Sequence, residues 1–250
     1  MKHFYAFESK TEYEQHEAVI EHFKDQLTDY QKYLEQNFAL NDLPKAFVWT
    51  SKEAATSIFS DLPIPAFTNK DTIYLTPDLS AWKKLFLDQL EDKRNASIEE
   101  YYHNLPLNQL LTIAGHELTH HIDLFVDEFE DEREDSIWFE EGMCDYLARK
   151  YILSDSEFQE IVEVESQLVE MFKDKYGDHL LDAFGHASYQ GSLTGIMFDY
   201  WRSFLAVKNL VEGRFEHDVH QLFKEYHKWH REGRKVPLTR FFNMDGGWFF

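Results

Sequence analysis

A chain of 250 residues with 43% hydrophobic and 16% aromatic residues has ample material for a core, so disorder is not its expected state. Its net charge of −21 repels phosphate backbones and anionic headgroups, so no nucleic acid and no membrane is expected among its partners. A single cysteine, Cys144, excludes an internal disulfide framework, and ten Gly with six Pro argue against a turn-rich β-sandwich.

The N-terminal stretch MKHFYAFESKTEYEQ lacks the apolar core and small-residue cleavage site of a secretory signal. No apolar run approaches the roughly 18 residues of a membrane helix. The chain therefore reads as soluble and cytoplasmic. From Glu12 to Phe38, apolar residues recur at helical spacing (Val19, Ile20, Phe23, Leu27, Tyr30, Leu34), which predicts a long amphipathic helix. KAFVWT at 45–50 predicts a strand, followed by a short helix from Ser51 or Lys52. DTIYLTP at 71–77 predicts a second strand, closed by Pro77. Asp78 is placed to cap a helix over LSAWKKLFLDQL.

Beyond Pro77 the pattern is almost wholly helical. Helices are expected over about 107–126, 136–152, 156–176, 186–207 and 214–231, with the charge run DEFEDEREDS at 127–136 as a solvated loop or helix face. The expected fold class is α+β, with a small N-terminal β-sheet lobe over about 1–106 and a larger helical C-terminal lobe over about 107–250. The two form a single domain with a cleft between them. Oligomeric state is open.

The chemistry concentrates in TIAGHELTHHIDLF, residues 112–125. On a helix, residues four apart share a face, so His116 and His120 can converge on one ion, and imidazole suits zinc. Glu117 lies beside them, placed to take a proton from the attacking water. Gly115 inside the helix costs roughly 1 kcal/mol against Ala, a residue usually kept where a neighbour packs close. With 13 histidines in the chain, the motif can arise by chance and needs a second feature. DSIWFEEGMCDYLARKY supplies one. Glu141 completes two histidines and a carboxylate, a set that leaves a position open for water. Asp145, one turn on, can accept the free ring N–H of a ligand histidine.

HELTH followed some twenty residues later by WFEEGMCDYL resembles the gluzincin zinc metallopeptidases. HELTH with the Glu-x-x-x-Asp spacing is similar to the thermolysin-like branch, and Trp-Phe-x-Glu-Gly to the aminopeptidase N and leukotriene A4 hydrolase branch. The latter match implies Glu141 rather than Glu140 as third ligand. SYQGSLTGIMFDYW is similar to the Tyr-Glu-Lys-Gly stretch of the aminopeptidase branch, which implies that Tyr189 stabilises the oxyanion, with His186 a rival for the role. DTIYLTP resembles the edge strand of the substrate cleft, along which a peptide would pair near Ile73–Leu75.

The resemblance covers about residues 45–205 and implies a zincin-like fold holding one Zn2+ per chain and acting on a peptide or protein substrate. The Gly-x-Met-Glu-Asn stretch that anchors a substrate's amino terminus in aminopeptidases is missing, so an endopeptidase is expected. The net charge favours basic peptides. The alternative is a non-catalytic metal-binding or scaffold protein on a peptidase fold.

Other residues read as structural. His121, five positions after His116, points off its face and is expected to support the site or lie on the surface. His217, His220, His227 and His230 read as surface histidines, and Cys144 as a buried small hydrophobe. The C-terminal GGWFF is expected to dock on the body, since three exposed aromatics would make a sticky patch.

Overall fold

The computed structural model describes residues 1–127, 135–185 and 188–244. It is α+β, mostly helical, with one mixed four-stranded sheet. The chain divides into two compact units, Met1–Asp123 with Leu147–Ser154, and Leu124–Tyr146 with Asp155–Phe250.

In the first unit, the sheet has the order β1-β2-β4-β3. β1 (Lys2–Ala6) and β2 (Ala46–Thr50) run parallel, β2 and β4 (Thr72–Leu75) run parallel, and β3 (Ala66–Thr68) is antiparallel to β4. Helix α1 (Lys10–Asn37) starts at Ser9, whose side chain accepts from the Glu12 N–H. It buries Ile20, Phe23, Leu27, Tyr30 and Leu34, the stripe its sequence spacing requires. Phe23 meets Trp49 of β2 at a ring separation of 6.2 Å, so α1 covers the sheet face that carries Phe47, Trp49, Ile73 and Leu75. Each such side chain contributes about 1.5–3 kcal/mol of burial. Short helices α2 (Lys52–Ser57), α3 (Leu79–Asp88) and α4 (Ala96–His103) follow, capped by Ser51, Asp78 and Asn95.

Two of the four strands escape the sequence reading. β3 has three residues, too few for alternation to register, and β1 (KHFYA) carries only exposed or half-buried side chains, so no apolar face marks it. The edge-strand expectation is also corrected. β4, which holds Ile73–Leu75, is paired with β2 on one side and β3 on the other, so no peptide can add to it. The sheet edge beside it belongs to β3.

Helix α5 (Leu107–Thr119) completes the first unit together with the C-terminal part of α6 (Ile137–Ile152). Residues 109–112 and 114–119 of α5 are buried. At Gly115, a Cβ would stand 2.9 Å from Ile152 Cδ1, 3.1 Å from Ala148 Cβ and 3.2 Å from Tyr30 Cε1, so the glycine admits α1 and α6 at close range. α5 stops earlier than its apolar periodicity suggests. Beyond His120 the bonds tighten to three-residue spacing (His121 N–H to Leu118 O, Ile122 N–H to Thr119 O), and the Asp123 N–H turns aside to Ala39 O.

The second unit packs the N-terminal part of α6 with α7 (Asp155–Tyr176), α8 (Leu193–Asn209), α9 (Val219–Arg231) and α10 (Leu238–Phe241). α6 and α8 approach to backbone contact at Gly142, where a Cβ would stand 2.2 Å from the Ser203 carbonyl oxygen. α8 begins at Ser192, whose side chain accepts from the Gly195 N–H, so the helix expected from 186 starts seven residues later. Asp127 and Asp135 both pair with Arg234. Most of the charge run and the GGWFF tail lie outside the described residues.

Candidate metal centre

The last turn of α5 decides the first half of the site. His120 is the C-cap residue but keeps helical angles (φ −54°, ψ −20°) and its N–H still reaches His116 O, at 3.3 Å. The two imidazoles therefore stay on one face. Their Nε2 atoms stand 3.1 Å apart. Two nitrogens each 2.0–2.1 Å from a tetrahedral ion are about 3.3 Å apart, so the pair is already spaced as ligands. His116 is buried and His120 partly so. The same helix is anchored from behind by Tyr30, whose hydroxyl meets Thr119 Oγ1 at 2.7 Å, while that Thr119 hydroxyl also contacts Gly115 O.

The third donor comes from α6. One ligand atom from each of His116, His120 and Glu141 lies within 4.8 Å of the others, the sole such group of His, Cys, Asp or Glu among the described residues. Two imidazole nitrogens and a carboxylate, all at least partly buried, can hold a divalent ion. Glu117, 7% exposed, is a buried carboxylate that directly follows His116 and precedes His120 by three residues. Glu140, 4% exposed, is not in the group. Asp145 is partly buried one turn beyond Glu141 on α6.

Tyr189 lies on a separate 3-10 turn, Ser188–Gln190, rather than at the start of a helix, because Gly191 and the cap Ser192 separate that turn from α8. Its hydroxyl donates to Glu141 Oε1 at 3.1 Å. The same hydroxyl contacts the Tyr200 hydroxyl of α8, also at 3.1 Å. Nothing in the sequence marks Tyr200, which sits in an apolar helical repeat 11 residues from the hydroxyl it meets. His186, the rival for the oxyanion role, lies outside the described residues.

His121 is a support rather than a surface residue. It is buried, and its Nε2 meets Thr68 Oγ1 of β3 at 2.7 Å. Burial, with the neighbouring His120, pushes its pKa down to about 4, so the ring is neutral near pH 7. The link ties the end of the histidine helix to the sheet edge. His227 also departs from the surface reading: it is partly buried, and its Nε2 meets Leu124 O at 2.7 Å. His217, His220 and His230 are exposed, and Cys144 is a buried free thiol.

No protein-family model matches this chain, and searches of curated proteins and of solved structures return no match. Among the described residues no helix is long and apolar enough to cross a membrane.

Proposed function

We propose that this chain is a metal-dependent peptidase of gluzincin type with a zincin-like fold, and that it cuts internal bonds of peptide substrates. The observation that carries the reading is the grouping of His116, His120 and Glu141 with the HELTH glutamate, Glu117, on the same buried helix as the two histidines. A zinc or similar divalent ion held by the three supplies Lewis acidity toward the scissile carbonyl and the attacking water.

The rest falls to the protein. Glu117 accepts a proton as the water oxygen adds to the carbonyl carbon, then delivers it to the leaving amine as the C–N bond breaks. Tyr189 turns its hydroxyl from Glu141 to the substrate oxygen that becomes negative. The substrate backbone pairs with the outer edge of β3, the side away from β4. Phe67 faces Tyr74 in register between bonded pairs at Pro65–Thr76 and Asn69–Thr72, so Ala66 and Thr68 direct their N–H and C=O groups outward.

Two substitutions separate catalysis from metal binding. Glu141→Ala removes a ligand, so metal content and melting temperature should both fall. Glu117→Gln keeps the shape but cannot take a proton, so metal content and stability should hold while turnover of a mixed peptide library drops at least about 10²-fold. A wild type that binds one metal per chain yet cuts no peptide would favour a binding or scaffold role. Blocking the substrate's amino terminus should leave cleavage intact, and a block that abolished it would make the chain an exopeptidase.

A further inference from the structure

We infer that Tyr200 is a positioning residue for the site, the outer member of a directed hydroxyl relay that ends on Glu141. This rests on the metal-site reading above and extends it to a residue no motif marks. The direction follows from counting protons. A phenol carries one O–H, and an ionised carboxylate only accepts. Tyr189 donates to Glu141 Oε1, so its single proton is committed there. The 3.1 Å contact between the two hydroxyls must then be donated by Tyr200 and accepted by the Tyr189 oxygen. The order is Tyr200 to Tyr189 to Glu141.

Such a chain has two consequences. Each donated bond polarises the next, so Tyr200 strengthens the bond that Tyr189 gives to Glu141 and helps fix which carboxylate oxygen faces the histidines. When Tyr189 turns its proton toward a substrate oxygen, the Tyr200 bond still holds the Tyr189 oxygen in place, so the donor arrives already aimed. The relay is set on rigid supports. Tyr200 belongs to α8, which is pressed against α6 beside Glu141 at Gly142. Buried Phe184 packs on both rings, with centroids 5.7 Å from Tyr189 and 5.3 Å from Tyr200. Ring packing and hydroxyl bonding are therefore separable, and Tyr→Phe removes only the second.

The test is a double-mutant cycle read first as affinity for zinc alone, by competition with a chelator. Loss of an outer partner of a ligand typically costs 10–100-fold in metal affinity, so Tyr189→Phe should weaken zinc binding by about 10-fold. Tyr200→Phe, one bond further out, should weaken it by about 3-fold with an unchanged melting temperature. In the Tyr189→Phe background, Tyr200→Phe should add nothing, because the relay is already cut. Peptide turnover is the second readout: Tyr200→Phe should lower kcat with KM unchanged.

Equal effects of Tyr200→Phe in both backgrounds, or none in either, would overturn the relay. So would a wild type without zinc affinity, which would remove the peptidase reading as well. A wild type that binds zinc and shows the non-additive cycle but cuts no peptide would leave the relay standing and remove only the peptidase reading.

Discussion

The two histidines and the glutamate are held by different kinds of structure. His116 and His120 sit one turn apart on α5, where the backbone spacing alone aligns them, and the packing around Gly115 only fixes the helix in place. Glu141 stands on a different helix, α6. Its position depends on the near contact of α6 with α8 at Gly142 and on the hydroxyl of Tyr189, 48 residues further along the chain. A donor pair set by one helix tolerates imperfect packing, whereas a donor placed by long-range contacts depends on each of them.

The largest test of that contrast is Gly142→Ala. The new Cβ would meet the Ser203 carbonyl oxygen at 2.2 Å and its carbon at 2.6 Å, both backbone atoms that cannot swing aside. α6 and α8 would have to separate, at a cost of about 3 kcal/mol or more. In a chain of this size that lowers the melting temperature by about 6–12 °C, and calorimetry would show it. A loss below about 1 kcal/mol would mean that Glu141 is not placed by this contact.

A smaller effect is expected at the root of the segment that carries Tyr189. His179 Nε2 meets Asp199 Oδ1 at 2.8 Å, and Arg202 bonds both Asp199 and His179 O. The bond to Asp199 raises the His179 pKa above its ordinary 6.5, and burial opposes the shift. A raised folded-state value stabilises the fold fully below pH 6.5, and the gain is lost as pH rises through the folded-state pKa. His179→Ala should therefore cost more stability at pH 5.5 than at pH 9, by at most about 1 kcal/mol because the ring is partly exposed. Denaturant midpoints at the two pH values would measure it, and a larger loss at pH 9 would contradict the pairing.

The smallest effect belongs to Gly115→Ala. Its Cβ would meet only side-chain atoms, the nearest being the tip of Ile152 at 2.9 Å, which can shift. Alanine also gains about 1 kcal/mol of helix propensity over glycine, so the net change should lie within about 1 kcal/mol. Retained zinc affinity would agree with a histidine pair set by helix geometry. A loss comparable to that of Gly142→Ala would erase the distinction between the two halves of the site.

Much of this molecule follows from local rules. The stripe of α1, the caps at Ser51 and Asp78, and the convergence of His116 and His120 are all set within a few residues, because a helix fixes its own faces and its own ends. The sequence alone thus determined the α+β class and the short-range half of the site. Only the tertiary structure decided that β4 lies inside the sheet, that β3 is an edge strand and that His121 is buried against Thr68. It also brought the Tyr189 hydroxyl to Glu141 and Tyr200 to Tyr189. Strand order and these contacts join residues far apart in the chain, and no local periodicity encodes which distant partner a strand edge or a hydroxyl will meet.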